Sequence, residues 1–237
     1  TFKKLCGSRF LDVIFHLPNS LIKRIIIQDL QELYLFKRVI ISGKIKSTWS
    51  SYKKPKLSIA TIEINNQILE IIYFNVNKAW FHKNFVKNEE VIVSGELNKK
   101  GNKWQIIHPD YIFDKKSNLS IPIYETTYSL TYGLTHKKIK KAITQSTQVL
   151  TGFNEWTNSE LIKNNKWSNF YHSLIKIHFP ETLEEVNNTG IYRERIAYDE
   201  ALARQLALNL IRKYKFKSLQ SPLSNNNAIK NKLLEKL

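Results

Sequence analysis

Residues 70–81 read EIIYFNVNKAWF. The first half is an apolar run of strand type that carries Tyr73 and Phe74. Asn75 breaks the run. Lys78 follows, and Trp80 and Phe81 then fall in a stretch, 79–88, better suited to a short helix than to a strand. Pleat alternation sends neighbouring side chains to opposite faces of a strand, so one ring of the Tyr73–Phe74 pair is core and the other is exposed or lies under the next helix. The pattern alone does not say which.

Working outward, the text keeps a strand period from about 29 to 113. VIISGKI (39–45), LSIATIEI (57–64), ILEIIYF (68–74), VIVSGEL (91–97) and WQIIHPDYIF (104–113) are short and rich in Ile and Val. Asn65-Asn66 suits a two-residue hairpin, because Asn tolerates the positive φ such turns need. Gly101-Asn102 marks a second turn. Gly43 and Gly95 stand inside strands, where glycine marks a bulge or a barrel corner. Five strands with a helix between the third and fourth is the order of an OB-fold barrel.

The flanks read as helix. In residues 1–24, Leu5, Phe10, Leu11, Ile14 and Phe15 recur at helical spacing until HLP at 16–18. Residues 114–134, with Pro122 and Gly133, form a linker. Thr135 caps a helix whose apolar face holds Ile139, Ala142, Ile143 and Leu150. Short helices are expected near 158–164 and 167–177. A longer one spans Tyr192–Tyr214, with Ala203, Leu206, Leu210 and Ile211 as its stripe and cations in its last turn. The expectation is an α+β chain: an N-terminal helical segment (1–28), the barrel (29–113), a linker (114–134), a helical connecting region (135–217) and the start of a further link (218–237).

The chain has 237 residues, with 37 Lys and Arg against 20 Asp and Glu, a formal charge of +17. That surplus points to a polyanionic partner, nucleic acid before an anionic membrane surface. The competing explanation is a genome that writes Lys, Asn and Ile freely. Cys6 is the one cysteine, so no internal disulfide forms and a reducing cytoplasm is expected. No apolar run nears the roughly 20 residues that span a bilayer. The chain begins with Thr and reads as a piece of a longer protein.

Motifs for nucleotide or metal chemistry are missing. There is no GxxxxGK[ST], HExxH, CxxC or GxSxG, and His172 and His178 are six apart, poor spacing for two ligands on one helix face. No catalytic residue, metal or cofactor is expected here. The segment STWSSYKKPK (47–56) carries the devices of single-strand binding instead: Trp49 and Tyr52 to stack on bases, interleaved with Lys53, Lys54 and Lys56 and preceded by Lys46 to meet phosphates.

These features come in an order that resembles the N-terminal wedge region of the RecG family of bacterial branch-migration helicases. FHLP (15–18) with Arg24, YFN (73–75), IHPDY (107–111), PIYETT (122–127), IHFP (177–180), RERIAYDEALARQLAL (193–208) and PLSNNNAIKNKLL (222–234) follow the family's segments along nearly the whole chain. Glu125 stands where the family has Pro. The resemblance implies a cytoplasmic, nucleoid-associated bacterial protein, monomeric and not membrane-bound. It implies binding of branched DNA (forks and Holliday-type junctions), a strand-separating role in recombination and repair, and motor domains in the same parent that use ATP and Mg. By resemblance Phe74 is the first candidate to stack at the junction, with Tyr73 beside it. Arg38, Lys46, Lys53, Lys54, Lys56 and Lys78 are the expected phosphate contacts. Two other readings stay open: a general single-stranded DNA or RNA module, and a protein-interaction module whose charge is genomic bias.

Overall fold

The computed structural model describes residues 2–51, 56–115, 120–150 and 154–219, with 231, 232, 234 and 235. The chain divides into two compact units, residues 1–154 with 175–189 and residues 155–174 with 190–237.

The first unit opens with two short helices, α1 (Phe2–Leu5) and α2 (Phe10–Ile14). The helical spacing ends before HLP at 16–18, as expected, but the rest of the segment expected to be helical to residue 28 departs from that expectation: Ser20–Ile26 is a strand, β1. Tertiary pairing sets its strand state. β1 runs parallel to the start of β2 (Arg38–Ser50) and antiparallel to β8 (Tyr124–Thr127), a strand inside the expected linker. Between β2 and β8 come β3 (Leu57–Ile64), β4 (Gln67–Phe74), helix α3 (Lys78–Asn84), β5 (Glu90–Lys100), β6 (Lys103–Ile107) and β7 (Tyr111–Asp114).

The sheet runs β7-β5-β6-β4-β3-β2-β1-β8, and a further β5–β2 pairing closes β2, β3, β4, β6 and β5 into a barrel. The expected five-strand order with a helix before the fourth strand is therefore present. Asn65 (φ 44) and Asn66 (φ 66) make the β3–β4 turn, and Gly101 (φ 58) the β5–β6 turn. The run at 104–113 is two strands rather than one, because His108 at φ 48 and Pro109 break it. At Gly43 a Cβ would fall 2.7 Å from the Glu63 carbonyl oxygen, so only glycine lets β2 cross β3 this closely while pairing with β5. Three residues on, the register with β3 slips at Lys46 between Ile45 and Ser47, a bulge of the kind that bends a barrel strand.

Inward side chains of all five strands, among them Val39, Ile45, Ile62, Leu69, Ile71, Val93, Leu97 and Ile106, fill the barrel, and Phe81 and Phe85 from the α3 region close one end. A second cluster holds Tyr128, Leu134, Ile139 and Ile143 with Phe2, Leu5 and Val13, so helix α4 (His136–Val149) packs with the N-terminal helices. Thr135 caps α4 as expected.

In the second unit, α5 (Ser159–Asn164) and most of α6 (Phe170–His178) match the expected short helices, and α8 (Thr189–Leu219), which follows α7 (Leu183–Asn187), is longer than the expected helix. Its buried residues lie near its start: Tyr192, Arg195, Ile196 and Asp199. The expected stripe at Leu206, Leu210 and Ile211 is exposed instead, since residues 155–174 pack along the first turns only. Among the described residues no helix is long and apolar enough to cross a membrane.

Candidate nucleic-acid interface

The end of β4 answers the question raised by its sequence. Tyr73 is buried, 8% exposed, and Phe74 is 40% exposed. Tyr73 meets Trp80, Phe81, Phe85 and His108 edge-on, with centroids 5.4–6.2 Å apart. Burial pushes its phenol well above the usual tyrosine range. A ring enclosed in this way has no face to offer a base, so the pairing of Tyr73 with Phe74 as stacking residues is corrected: Tyr73 anchors the platform and Phe74 is the outward ring.

Phe74 is held from behind. Its backbone N–H donates to His108 Nε2 at 3.2 Å, and the two rings lie 5.8 Å apart. His108 takes this place because β4 and β6 run parallel, with Ile72 opposite Ile107. The next backbone bond, His108 N–H to the Ile72 carbonyl at 2.9 Å, ends the ladder, and the imidazole caps the following amide. Beyond Phe74 the chain must turn sharply. Asn75 does so at φ 55 while its N–H donates to the Lys56 carbonyl at 2.8 Å. Asn77 then caps α3 through a 3.2 Å bond from the Trp80 N–H, a contribution of about 1 kcal/mol.

The outward face continues across the barrel. Trp49 on β2 lies opposite Ile59, Ile59 opposite Ile72, and Ile72 opposite Ile107, so these four form one row, with Phe74 two residues beyond Ile72 on the same face. Trp49 is 55% exposed. His82 of α3 approaches Thr48 Oγ1 (3.5 Å) and Ser50 Oγ (3.4 Å), backing the strand end that carries Trp49. Phe81 closes the barrel, whereas Trp80 remains 43% exposed.

The expected phosphate contacts separate into groups. Lys56 is exposed beside Asn75, next to Leu57, the partner of Phe74. Lys46 pairs with Glu63 at 2.7 Å. Arg38 pairs with Asp110 and sits away from the Trp49 end of β2, next to the β1–β2 pairing. The Lys78 ammonium nitrogen is buried, which corrects its place as an outward phosphate contact. Tyr52, Lys53 and Lys54 lie outside the described residues.

A polar network not foreseen from the sequence stands beside the platform. Arg24, its side chain 1% exposed, donates to Ser94 Oγ (3.0 Å), the Pro122 carbonyl (3.0 Å) and Glu125 Oε2 (2.5 Å). Glu125 Oε1 also receives Lys140 (2.6 Å) and the Tyr111 hydroxyl (2.5 Å). Burial alone would raise the Glu125 carboxyl, but the bonds from Lys140, Tyr111 and Arg24 outweigh it and hold the group below its usual range. Burial and the bond to Glu125 push the Tyr111 phenol well up. Sequence signals for this network exist, in HPDY, PIYETT and Arg24, but no local pattern says that they meet. Among the described residues no cluster of His, Cys, Asp and Glu is arranged to hold a metal ion.

The RecG wedge domain model matches residues 1–150. The chain belongs to the RecG wedge domain family. It is 25% identical to the ATP-dependent DNA helicase RecG of Escherichia coli O127:H6 over 236 residues, covering 95% of this chain and 33% of that protein. With the RecG helicase of Thermotoga maritima it shares 25% identity over 223 residues, covering 89% and 27%. A solved structure of RecG bound to a three-way DNA junction superposes with a TM-score of 0.69 at 21% identity, covering all of this chain and 32% of that one. This wedge-family chain thus spans about a third of the length of the helicases it resembles.

Proposed function

We propose that this chain binds branched DNA without regard to base sequence and acts as the strand-separating wedge of a RecG-type helicase in recombination and repair. The observation that carries the reading is Phe74, an aromatic ring turned outward at a strand end and held from behind by His108, whose ring also meets the buried Tyr73. Such a ring stacks on an unpaired base with a contribution of roughly 1–3 kcal/mol. Trp49 on the same face and the exposed Lys56 extend the platform, and the formal charge of +17 supplies a phosphate-directed attraction that weakens with salt. Family membership directs the choice of partner, because a relative of the same fold was solved on a three-way junction. In this reading motor domains of the parent hydrolyse ATP with Mg and draw the duplex arms past a monomeric wedge, in the bacterial cytoplasm near the nucleoid.

The test is fluorescence anisotropy of a labelled three-way fork, a duplex and a single strand at two salt concentrations. Wild type should prefer the fork, and Phe74→Ala should lose about tenfold on the fork alone. Equal affinity for fork and duplex would overturn the wedge reading. Tightest binding to the unbranched strand would favour a general single-strand module.

A further inference from the structure

The turn that joins β6 to β7, His108-Pro109-Asp110, holds Phe74 from behind and is itself anchored at both ends. On one side the His108 N–H donates to the carbonyl of Ile72, two residues before Phe74 on the same strand, at 2.9 Å. On the other side the Asp110 N–H donates to the Ser94 carbonyl of β5 at 2.8 Å. The turn lies close on β5 because residue 95 is glycine. A Cβ there would stand 2.4 Å from Ile106 Cγ2 and 3.2 Å from Pro109 Cα.

Between these anchors His108 keeps a left-handed backbone at φ 48. A non-glycine residue stays in that region only where its surroundings impose it. Here the Asp110 carboxylate adds the side-chain clamp. It is paired with Arg38 of β2 and lies 3.6 Å from Arg24 of β1, so two strands grip the turn through one side chain. Arg24 is the rigid part of the clamp. It is buried, donates to the Ser94 hydroxyl, the Pro122 carbonyl and Glu125, and stands over the ring of Tyr111, the residue after Asp110, at 5.0 Å. A solitary surface ion pair would contribute little, but this carboxylate is shared with a guanidinium that cannot move away.

From this we infer that Asp110 is a positioning residue for Phe74, acting through His108, and that Arg38 belongs to this clamp rather than to a DNA phosphate. The inference rests on the wedge reading, because a ring that stacks on a base at a junction must keep one orientation. A ring free to turn loses part of its stacking contribution to the ordering that binding demands. Here that ordering is complete before DNA arrives. It passes from Arg24 and Arg38 to Asp110, along the turn to His108, and from His108 Nε2 to the Phe74 amide.

The test uses Asp110→Asn and Arg38→Gln, each alone and combined with Phe74→Ala, and two readouts. The first is hydrogen exchange of the Phe74 amide in the protein without DNA, which reports its bond to His108. Asp110→Asn should accelerate it about two- to tenfold, the value of one weakened hydrogen bond, while amides of the β2–β3 pair keep wild-type protection. Equal acceleration of both sets would make Asp110 a stabiliser of the whole barrel and overturn the positioning role, as would unchanged exchange at Phe74. The second readout is affinity for a labelled three-way fork across a salt series. Each single variant should lose about two- to tenfold with the salt slope unchanged, and should add no loss to Phe74→Ala, because residues that act through one another are not additive. A slope lowered by about one in Arg38→Gln would return Arg38 to the phosphate contacts. A full loss in the Phe74→Ala background would show that Asp110 acts elsewhere than on the ring. Either result overturns the inference, and a wild type that still prefers the fork then leaves the wedge reading standing. Wild type that does not prefer the fork overturns both.

Discussion

The His108 imidazole caps the Phe74 amide, Nε2 accepting at 3.2 Å, so the ring that offers itself outward is positioned through its own backbone. An acceptor at Nε2 places the proton of the neutral imidazole on Nδ1. Replacing His108 should loosen Phe74 without removing it. Asn is the suitable replacement, because His108 sits at φ 48, where Asn is comfortable and Ala is strained. His108→Asn should leave the melting temperature close to wild type and weaken fork binding about two- to tenfold, the value of one lost hydrogen bond. Anisotropy beside a thermal melt reads both. Unchanged fork affinity would mean that Phe74 does not depend on this cap.

The two neighbouring rings should separate cleanly in stability. Tyr73 is surrounded by four rings, and Tyr73→Ala removes a large buried side chain at a cost of about 3–5 kcal/mol. Phe74 is 40% exposed, so Phe74→Ala should cost under about 1 kcal/mol. Urea unfolding of both variants measures the difference. Comparable losses would place Phe74 in the core and remove it from the interface.

The barrel was legible because its signals are local. Alternating Ile and Val, Asn65-Asn66 and Gly101 at turns, and Gly43 at a crossing each state their own geometry. β1 and β8 were not legible, since Ser20–Ile26 and Tyr124–Thr127 become strands only by finding each other across a hundred residues. The same distance hid the site's supports. Nothing in YFN or HPDY shows that a parallel β4–β6 pair brings His108 behind Phe74, and nothing around Arg24 shows that Glu125 will receive it. The α8 stripe misled for the opposite reason: Leu206, Leu210 and Ile211 have helical spacing, but spacing does not supply a surface to bury them.

Glu125 ties the N-terminal strand region to α4, and this linkage sets an acid limit. Its carboxyl is held below the ordinary 4.5 in the folded state, mainly by Lys140, Tyr111 and Arg24 acting against burial. The unfolded chain therefore binds this proton more readily than the folded one, and stability rises with pH in that range. The contribution is fully present above about pH 4.5 and is lost as pH falls through the lower folded value. Melting temperature measured from pH 3 to 7 should fall on the acid side, and Glu125→Gln should flatten part of that fall while lowering the plateau. An identical acid slope in the variant would show that other carboxylates carry it.

In the second unit, Arg195 is wholly buried and is held by Asp199 (Nε to Oδ2, 2.7 Å) and Glu155 (2.8 Å), while the Trp156 indole donates to Asp199 Oδ1 at 2.9 Å. This arrangement fixes the first turns of α8 to residues 155–157, and it behaves as a buried ion pair rather than a surface one. Taking away one partner strands a charge in a poorly solvated place, so Asp199→Ala should cost about 3–5 kcal/mol. Removing both charges need not cost as much, because two apolar side chains of similar size avoid the desolvation that the pair must overcome. Hydrogen exchange of amides in 192–200 reads this locally: the single variant should accelerate exchange by roughly two to three orders of magnitude, and Arg195→Met with Asp199→Leu should restore a large part of the protection. A single variant that costs less than about 1 kcal/mol would mean that water reaches Arg195 readily and that the network is not what holds α8 in place.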